Sequence, residues 1–530
     1  MKKRLIIFAY IVGITISAKA YDFEVDGIYY DSLSAKTCEV VSGNGYFLEC
    51  IKIPTTVSFA GNDYKVVRIG AGAFYNQTSV KSVHIPVSLT AIGSESFMHC
   101  YGLTSIEVDN GNPAYSSYEG ALYDKSRSRL IFVPAGKTEY KILSGIKEIS
   151  KDAFYLCKSL RKISIPNGVS HIGDNAFAGC DSLVSIDIPN SVEYIGEYAF
   201  CGCKSLTTLT VPSSVTMLGR SAFSFCTSLK AVAFTMGKVG IQSIPGHLFN
   251  GCTSLETVII PMGITSLGDY SFAQCDSLRA IQIPSTVTTL GNNVFYNCHS
   301  LKNFEFPENI ETIGSQAFEY CQQLDTIALP RTLNEIGENA FNGCRGLTYF
   351  RVSEDNIKYK SFKGKLYDYQ MDRLIKVPAK ATKDSIPSSV THISAYAYFL
   401  CCFLDKVVVP EPLTDIGKWA FVGCSSLDSV YMSKPINLSE TYLPQDTRVL
   451  FVPIGKKKDF EGSSYYSDQY SLFKAIKEYG DTPTIMRLQM FEKKYKDKPV
   501  IYNLQGIRIG DRKYLSKGIY VINGQKVFCK

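Results

Sequence analysis

The chain has 530 residues, of which 45% are hydrophobic, 12% aromatic and 20% charged, a composition typical of folded globular proteins. It therefore excludes a disordered tail protein. The first 20 residues contribute +4 to the formal net charge of +7, so the rest of the chain carries only +3. This weak charge argues against a nucleic-acid-binding protein, whose affinity depends on a concentrated basic surface.

The first 20 residues have the three parts of a secretory signal peptide. Residues 1–4 are basic, residues 5–16 are apolar, and residues 18–20 form a small-x-small cleavage site. The apolar run of 12 residues is shorter than the roughly 20 residues that a membrane-spanning helix needs. We expect cleavage after Ala20, with Tyr21 as the first residue of a secreted chain. A buried first strand or helix is the alternative interpretation.

Residues 21–65 precede the repeats and are predicted to cap them, with a strand-like run over residues 46–53. Cys38 and Cys50 lie in this segment. They are candidates for a disulfide, because an exported chain meets an oxidising environment. Two free thiols are the alternative.

Twelve of the 17 cysteines form a column at one phase of a repeat. Eight of the eleven successive gaps are 23 residues, one is 26 and two are 57. The column consists of Cys100, Cys157, Cys180, Cys203, Cys226, Cys252, Cys275, Cys298, Cys321, Cys344, Cys401 and Cys424. An aromatic residue stands three positions before each: Phe97, Phe154, Phe177, Phe200, Phe223, Phe249, Phe272, Phe295, Phe318, Phe341, Tyr398 and Phe421. Residues 66–446 are therefore predicted to be one repeat array.

The repeated phrase predicts a leucine-rich repeat solenoid, mainly β with short turns and helical segments, of about 13 coils. A period of 20 to 30 residues with L-x-x-I-x-I is typical of parallel strands that stack one per coil. In the copy over residues 176–196, Leu183 and Ile186 are predicted to point inward, and Ser185 and Asp187 outward. Gly196 is expected to supply the permissive backbone of the return turn.

The column cysteines are expected to be buried and small, with thiols that donate weakly to loop carbonyl groups. A ladder of disulfides is the alternative, since stacked coils lie about 4.8 Å apart, but side chains in register point the same way.

Both 57-residue gaps contain 34 extra residues, and the two inserted sequences match each other. The insertions cover about residues 109–142 and 353–386. Strand-like runs around polar turns predict that each insertion adds a β-hairpin to a coil. Each hairpin either covers the core or forms a binding protrusion.

The repeat decays after Cys424. Residues 447–480 are predicted to cap the array, with a last strand over 448–453 and a short amphipathic helix over 470–478. Residues 481–530 form a basic tail, and residues 447–530 together carry +9. Within the tail, residues 501–506 and 517–526 predict a small β-element with glycine turns.

The phrase A-F-x-x-C-x-S-L-x-x-I-x-I-P resembles the BspA-like leucine-rich repeat proteins, the 23-residue class found on bacterial surfaces, over about residues 66–433. The resemblance implies adhesion to host matrix proteins or to other cells. Residues 501–530 are similar to the C-terminal sorting segments of the type IX secretion route, which implies contact with that machinery. The tail is shorter than the complete β-sandwich of the best-studied segments, so a small β-element of other use is the alternative.

Metal and catalytic motifs are not found in the sequence. The pairs Cys201/Cys203 and Cys401/Cys402 look like metal or redox motifs, but each includes a column cysteine and lacks a second ligand pair. No zinc-protease, serine-hydrolase, phosphate-binding or dinucleotide-binding motif occurs. We therefore expect neither catalytic residues nor a cofactor or metal site.

The candidate ligand residues are outward strand positions, five and seven residues after a column cysteine. In the middle of the array these positions carry small, neutral side chains. At its C-terminal end they include tyrosine and arginine, which are enriched at protein interfaces: Tyr349, Arg351, Lys406 and Tyr431. We expect a secreted, monomeric protein displayed on the outer cell surface, which binds an extracellular protein. A structural surface-layer or glycan-capturing component is the first alternative, and an accessory of a surface enzyme system is the second.

Overall fold

The computed structural model describes residues 21–479 without 44–45, 47, 236–239, 383, 439–440, 442, 444–448, 464–472 and 474, and the strands at 501–502, 508–509, 518–522 and 525–529. The predicted signal peptide, residues 1–20, lies outside the described residues. The chain divides into two compact units, Met1–Tyr369 and Gln370–Lys530, and the division falls inside the second predicted insertion.

The first unit begins with a mixed sheet. Its strands join in the order β1-β2-β3-β6-β5 with β8 beside β6, and a second sheet has the order β4-β7-β9. Of the described residues in the strand-like run over 46–53, only those of β4 form a strand. The ranges are β1 (Phe23–Val25), β2 (Ile28–Ser34), β3 (Thr37–Val40), β4 (Cys50–Lys52), β5 (Thr56–Phe59), β6 (Asn62–Ile69), β7 (Ser82–Ile85), β8 (Ala91–Ile92) and β9 (Ser105–Val108).

The remaining strands of the first unit form two parallel layers and two hairpins. Each regular coil gives one strand or bridge to a first layer and a two-residue strand to a second layer. The ranges are β10 (Tyr115–Tyr118), β11 (Ala121–Asp124), β12 (Arg129–Phe132), β13 (Glu148–Ile149), β14 (Lys162–Ser164), β15 (His171–Ile172), β16 (Ser185–Asp187), β17 (Tyr194–Ile195), β18 (Thr208–Val211), β19 (Met217–Leu218), β20 (Ala231–Phe234), β21 (Ser243–Ile244), β22 (Thr257–Ile259), β23 (Ser266–Leu267), β24 (Thr289–Leu290), β25 (Thr312–Ile313), β26 (Thr326–Leu329), β27 (Glu335–Ile336), β28 (Tyr349–Val352), β29 (Tyr359–Phe362) and β30 (Lys365–Asp368).

The predicted fold class is confirmed by the pairing of neighbouring coils. Ile163 on β14 pairs with Ile186 on β16 in parallel, and both side chains are buried while their strand neighbours are exposed. The described residues contain about 17 turns rather than about 13. The count rises because strands without a column cysteine also stack, such as β4 against β7.

The column cysteines are buried and free, as expected. In the regular coils each Sγ donates to the carbonyl oxygen of the ring residue in the preceding coil; Cys180 reaches Phe154 at 3.3 Å and Cys298 reaches Phe272 at 3.1 Å. Burial raises the pKa of the Cys298 thiol to about 12, so these thiols stay protonated and keep their donor hydrogen.

The aromatic residues of the repeat stack in a ladder inside the first unit. Phe154 and Phe177 have ring centroids 4.7 Å apart and planes 11° from parallel, and Phe177 and Phe200 have centroids 5.0 Å apart. Each ring therefore packs on rings of the coils before and after it, so a single coil cannot complete its own core.

The structure corrects the role of Gly196. Its φ lies outside the positive region in which glycine is favoured, so the turn does not require its conformational freedom. A Cβ there would lie 2.5 Å from the backbone nitrogen of Asp174 and 2.7 Å from the carbonyl carbon of Gly173. The glycine is needed because two neighbouring coils approach each other too closely for a side chain.

The second unit contains the same two kinds of layer. Its first layer has the order β32-β34-β36-β37-β38, and β33 pairs with β35 in the second layer. A separate antiparallel sheet has the order β40-β39-β41-β42. The ranges are β31 (Arg373–Lys376), β32 (Asp384–Ser385), β33 (His392–Ile393), β34 (Lys406–Val408), β35 (Asp415–Ile416), β36 (Ser429–Tyr431), β37 (Val449–Pro453), α1 (Lys457–Glu461), β38 (Ala475–Tyr479), β39 (Ile501–Tyr502), β40 (Arg508–Ile509), β41 (Gly518–Ile522) and β42 (Gln525–Cys529).

The helix predicted over residues 470–478 is wrong where the structure describes this segment. Residues Ala475–Tyr479 form β38, which pairs in parallel with the last predicted strand, β37, over five residues. The open edge of β37 offers a ladder of backbone hydrogen bonds, and this tertiary pairing outweighs the helical periodicity. The described helix, α1, lies earlier and has only five residues.

Candidate binding surface

The outward side of the first layer is the strand face. Its regular coils expose short polar side chains, such as Ser185 and Asp187 on β16 and Thr208 and Thr210 on β18. These positions alternate with buried aliphatic residues. On β16 and β18, in the middle of the strand face, the exposed side chains are therefore all short.

Two of the four candidate ligand residues lie side by side on β28. Tyr349 is 45% exposed, and Arg351, two residues further on, is also exposed. The buried side chain of Phe350 separates them in the strand. Gly364 lies against the tyrosine ring, since a Cβ added to this glycine would be 2.7 Å from Cδ2 of Tyr349.

The other two candidates belong to the second unit. Lys406 on β34 and Tyr431 on β36 are half-buried and lie on paired strands. The Tyr431 ring stacks on Phe451 with centroids 4.6 Å apart, and burial raises the pKa of its hydroxyl. Tyr431 is therefore less accessible than Tyr349, because its ring is partly covered by its own unit.

The two insertions form hairpins that are held by the same buried asparagine. Asn112 donates from Nδ2 to the carbonyl oxygens of Pro86 and Leu89, at 2.7 and 2.8 Å, and its Oδ1 accepts from two backbone amides of the hairpin. Asn356 makes the equivalent four bonds in the second insertion. Each asparagine thus ties its hairpin to the coils before it.

The hairpin tips are alike in backbone and in attachment. Glu119-Gly120 and Lys363-Gly364 link their strands with positive φ at both residues, which is typical of a type I′ turn. The Gly120 carbonyl accepts from the amide of Ile106 on β9, and the Gly364 carbonyl accepts equivalently on β28, both at 2.8 Å. Each hairpin is therefore docked along a strand of the first layer.

The outward side chains of the two hairpins differ. Position by position, with a shift of 244 residues, Ala114 corresponds to Lys358, Ser116 to Lys360 and Glu119 to Lys363. The match between the two inserted sequences does not by itself reveal this difference, which a comparison of their charges does. That comparison was the available signal for these residues.

The first hairpin borders an open cleft of about 410 Å³ on the strand face. Its lining mixes two carboxylates with two ammonium groups and one tyrosine, whose hydroxyl bonds the Tyr123 hydroxyl at 2.6 Å. The cleft is lined by Glu119, Glu139, Tyr140, Lys141, Lys162, Ile163 and Ser164.

A second group of side chains, which no sequence motif indicates, lies in the turns around residues 75–155. The His99 ring meets Tyr75 and Tyr155 edge-on, with centroids 5.1 and 6.1 Å apart, and its Nδ1 is 2.8 Å from the Tyr101 hydroxyl. The Lys158 ammonium lies 5.1 Å from the centroid of Tyr101. The side chains already satisfy one another, so this group has a structural explanation.

The proposed Cys38–Cys50 disulfide is not formed in the structure. Cys38 is buried on β3, whereas Cys50 is exposed on β4, which belongs to a different sheet, and both thiols are free. Within the described part of the chain, no three His, Cys, Asp or Glu side chains are grouped as metal ligands. The same part contains no helix with the length and apolarity required to cross a bilayer.

Comparison with known proteins identifies the repeat. The family model of the BspA type leucine-rich repeat region (6 copies) matches four overlapping or successive ranges, residues 43–138, 125–253, 242–367 and 379–471. A leucine-rich repeat protein from Bacteroides ovatus is 23% identical, covers 87% of this chain and 100% of its own, and has a TM-score of 0.47.

Two further solved structures are similar. A leucine-rich cell surface protein from Faecalibacterium prausnitzii is 24% identical, with 74% of this chain and 94% of its own covered and a TM-score of 0.44. The pneumococcal vaccine antigen PcpA is 17% identical, with 87% and 98% covered and a TM-score of 0.39. A search of curated proteins found no match.

Proposed function

Because this chain belongs to the family of BspA-type leucine-rich repeat proteins, we propose that it is displayed on the outer cell surface and binds an extracellular protein without catalysing a reaction. Host matrix proteins are the proposed ligands. Within each unit, stacked coils present side chains at fixed spacing, which lowers the entropy lost on binding.

One observation carries this proposal: Tyr349 and Arg351 are exposed next to each other on a strand whose backbone is fixed by pairing with β26. Tyrosine and arginine are enriched among the residues that dominate binding energies, because each offers a large contact area and directional hydrogen bonds. The same positions on β16, β18, β20 and β26 carry small or short polar side chains, so this end of the first unit is the favoured contact.

The test is binding of the full mature chain to immobilised matrix proteins and, in parallel, to a glycan array. We expect saturable binding to at least one protein, with affinity reduced about tenfold in Tyr349→Ala/Arg351→Ala, the loss of roughly 1.4 kcal/mol typical of an important contact pair. The variant Thr208→Ala/Thr210→Ala, with exposed positions in the middle of the strand face, should bind like the unmodified chain.

The outcomes separate the alternatives. Binding to sugars without binding to any protein would support a glycan-capturing component and reject the proposal. Equal affinity of the Tyr349/Arg351 variant would remove these two residues from the interface. Lys406 and Tyr431 are proposed as a further contact of the second unit, and Lys406→Ala/Tyr431→Ala tests them in the same assay.

We propose export through cleavage between Ala20 and Tyr21, and surface sorting through residues 501–530. N-terminal sequencing of the surface-exposed protein should begin at Tyr21. Deletion of residues 501–530 should abolish surface labelling while the protein is still produced. Full surface display of the deleted chain would refute the sorting role.

A further inference from the structure

We propose that the second hairpin and the adjoining outward residues of β28 form a cationic docking surface for an acidic segment of a protein ligand. The inference rests on the proposed function in one respect, namely that the ligand is a protein. It adds the chemistry of the ligand and residues of the insertion that no sequence motif assigns.

Charge distinguishes this surface from its counterpart in the same chain. Residues 349–365 contain five basic and two acidic residues, a net charge of +3, whereas the equivalent residues 105–121 contain three acidic and no basic residues, a net charge of −3. The two stretches have the same backbone and the same anchoring bonds. Lys365 is buried, so the positive charge at the surface comes from the exposed residues Arg351, Lys358, Lys360 and Lys363.

The lysines are held at the surface by the residue between them. The amide of Ile336 donates to the hydroxyl of Tyr359 at 3.0 Å, so this tyrosine points to the protein and its neighbours Lys358 and Lys360 are exposed. In an extended strand, residues i and i+2 are about 7 Å apart. The Lys360 ammonium lies 4.0 Å from the ring centroid of Tyr369, which fixes its direction.

Two of the exposed basic side chains are not paired with carboxylates of the described residues. Neither Arg351 nor Lys358 takes part in an ion pair with any described residue, although Glu354 and Asp355 stand in the preceding loop. A partner with negative charge would therefore gain attraction without first breaking an internal pair of either group.

Exposed apolar groups favour a protein over a polysaccharide. Ile357 is 68% exposed and Phe362 is 42% exposed, and both lie beside the lysines. An extended peptide with alternate Asp or Glu residues repeats its carboxylates at the same spacing of about 7 Å. Apolar residues that flank the acidic run of such a peptide can also cover the aliphatic Ile357, whereas a sulfated sugar chain offers no apolar group of that kind.

The experiment uses the full mature chain and a fluorescent peptide of 12 residues, in which Glu alternates with Gly and Ser and the two ends carry Leu. Binding is followed by fluorescence anisotropy at low and high salt. We expect Lys358→Glu/Lys360→Glu to weaken binding about tenfold, since two attractions to the carboxylates of the peptide become two repulsions. Binding should also weaken with added salt.

The matched control is Ala114→Glu/Ser116→Glu, which places the same charges at the equivalent positions of the first hairpin. This variant should change the affinity less than twofold. Ile357→Ser should weaken binding of the peptide about threefold, as expected for the loss of a partly buried aliphatic contact. Thermal unfolding of each variant verifies that the exposed substitutions leave the fold intact.

Three results would overturn the inference. The first is equal affinity of the unmodified chain and Lys358→Glu/Lys360→Glu. The second is an equal loss in the matched control, which would show a general charge effect. The third is tighter binding of heparin than of the peptide with no effect of Ile357→Ser, which would assign the surface to sulfated polysaccharides.

A panel of immobilised matrix proteins keeps this inference separate from the proposed function. If the unmodified chain and Lys358→Glu/Lys360→Glu bind the same proteins equally well, the docking surface is wrong while protein binding stands. If the unmodified chain binds no protein of the panel, the proposed function itself fails, whatever the acidic peptide does.

Discussion

The two hairpins of the first unit have one backbone and two surfaces. Asn112 and Asn356 make the same four hydrogen bonds, and both tips are X-Gly turns docked on a first-layer strand. The outward positions, however, change from Ala and Ser in the first hairpin to Lys358 and Lys360 in the second. The scaffold residues satisfy the buried backbone, whereas the outward residues are free to vary in charge.

Their surroundings differ as well. Glu119 at the first tip lines a cleft that contains both carboxylates and ammonium groups, so charges of both signs face one another there. The second tip lies against Tyr349, which leaves its lysines beside exposed rings. The same local structure therefore serves two chemical environments, and substitutions at equivalent positions can separate the contribution of scaffold and surface.

The largest expected effect comes from the shared anchor. Asn112→Ala and Asn356→Ala each remove four hydrogen bonds and leave buried backbone groups without a partner. We expect each to lower the free energy of unfolding by about 3 kcal/mol, measured by urea denaturation. Similar losses in the two variants would support equivalent anchoring, whereas a loss below 1 kcal/mol in one of them would show that its hairpin is held by other contacts.

A smaller effect is expected at the tip glycines. Both have positive φ, +77° at Gly120 and +78° at Gly364, so alanine should cost about 1 to 2 kcal/mol at either site. A Cβ at Gly120 would press on the Cα of Ser105, at 3.1 Å, whereas at Gly364 it would meet the half-exposed ring of Tyr349, which can rotate away. Gly120→Ala should therefore be the more destabilising in thermal unfolding; the reverse order would contradict the described packing.

The turn after the first hairpin gives a pH-dependent test. Asp124 accepts from the hydroxyls of Ser126 and Ser128, each at 2.7 Å, and from the amide of Arg129 at 2.9 Å. Burial opposes its charged form, but these hydrogen bonds outweigh it and lower the pKa of the carboxyl.

Because its pKa is lower in the folded chain, the carboxylate stabilises the fold above the unfolded pKa of about 4 and loses that contribution as pH falls through the folded pKa. Asp124→Ala should cost about 1 kcal/mol at pH 7 and much less at pH 2. The test is to measure the free energy of unfolding of both proteins at pH 7 and pH 2. If Asp124→Ala lowers it equally at both pH values, the charge of the carboxylate does not contribute to stability.

The smallest effect on stability is expected from exchanging the outward residues. Lys358→Ala/Lys360→Ser should change the free energy of unfolding by less than about 0.5 kcal/mol, since both positions are exposed. Ala114→Lys/Ser116→Lys should lower it by at most about 1 kcal/mol, because the Ser116 hydroxyl donates to the Asp124 carbonyl oxygen at 2.9 Å. Binding of the acidic peptide should nevertheless fall in Lys358→Ala/Lys360→Ser. Transfer of binding to the first hairpin would show that the lysines suffice, and its absence would show that the rings around Tyr349 are also needed.

Much of the fold was predictable because the same sequence pattern recurs along the chain. The spacing of Cys180, Cys203 and Cys226 forces one environment to recur every 23 residues, and only stacked coils provide it. The helix over residues 470–478 was not predictable, because a short apolar pattern fits a helix or a strand until the open edge of β37 decides between them. The role of Gly196 was not predictable for a related reason: the sequence of a single repeat does not show how closely two coils approach each other.

The candidate surface was predictable only in part. Alternation along the strands identified Tyr349 and Arg351 as outward residues, and the structure exposes both. Whether Tyr431 is accessible depended on its stacking with Phe451, which comes from a strand outside the repeat phrase. The lysines of the second hairpin stood in the sequence, but their exposure depends on which way Tyr359 turns.

The amino-acid sequence by itself determined the stacked-coil architecture. A cysteine and an aromatic ring that recur at a fixed period can be buried only against the same residues of the neighbouring coils. The tertiary structure decided where each hairpin docks and which of its side chains reach solvent. Those outcomes depend on hydrogen bonds between residues far apart in the chain, such as Ile336 to Tyr359 and Asn356 to Pro330. Long-range pairing of this kind leaves no periodic pattern in the sequence.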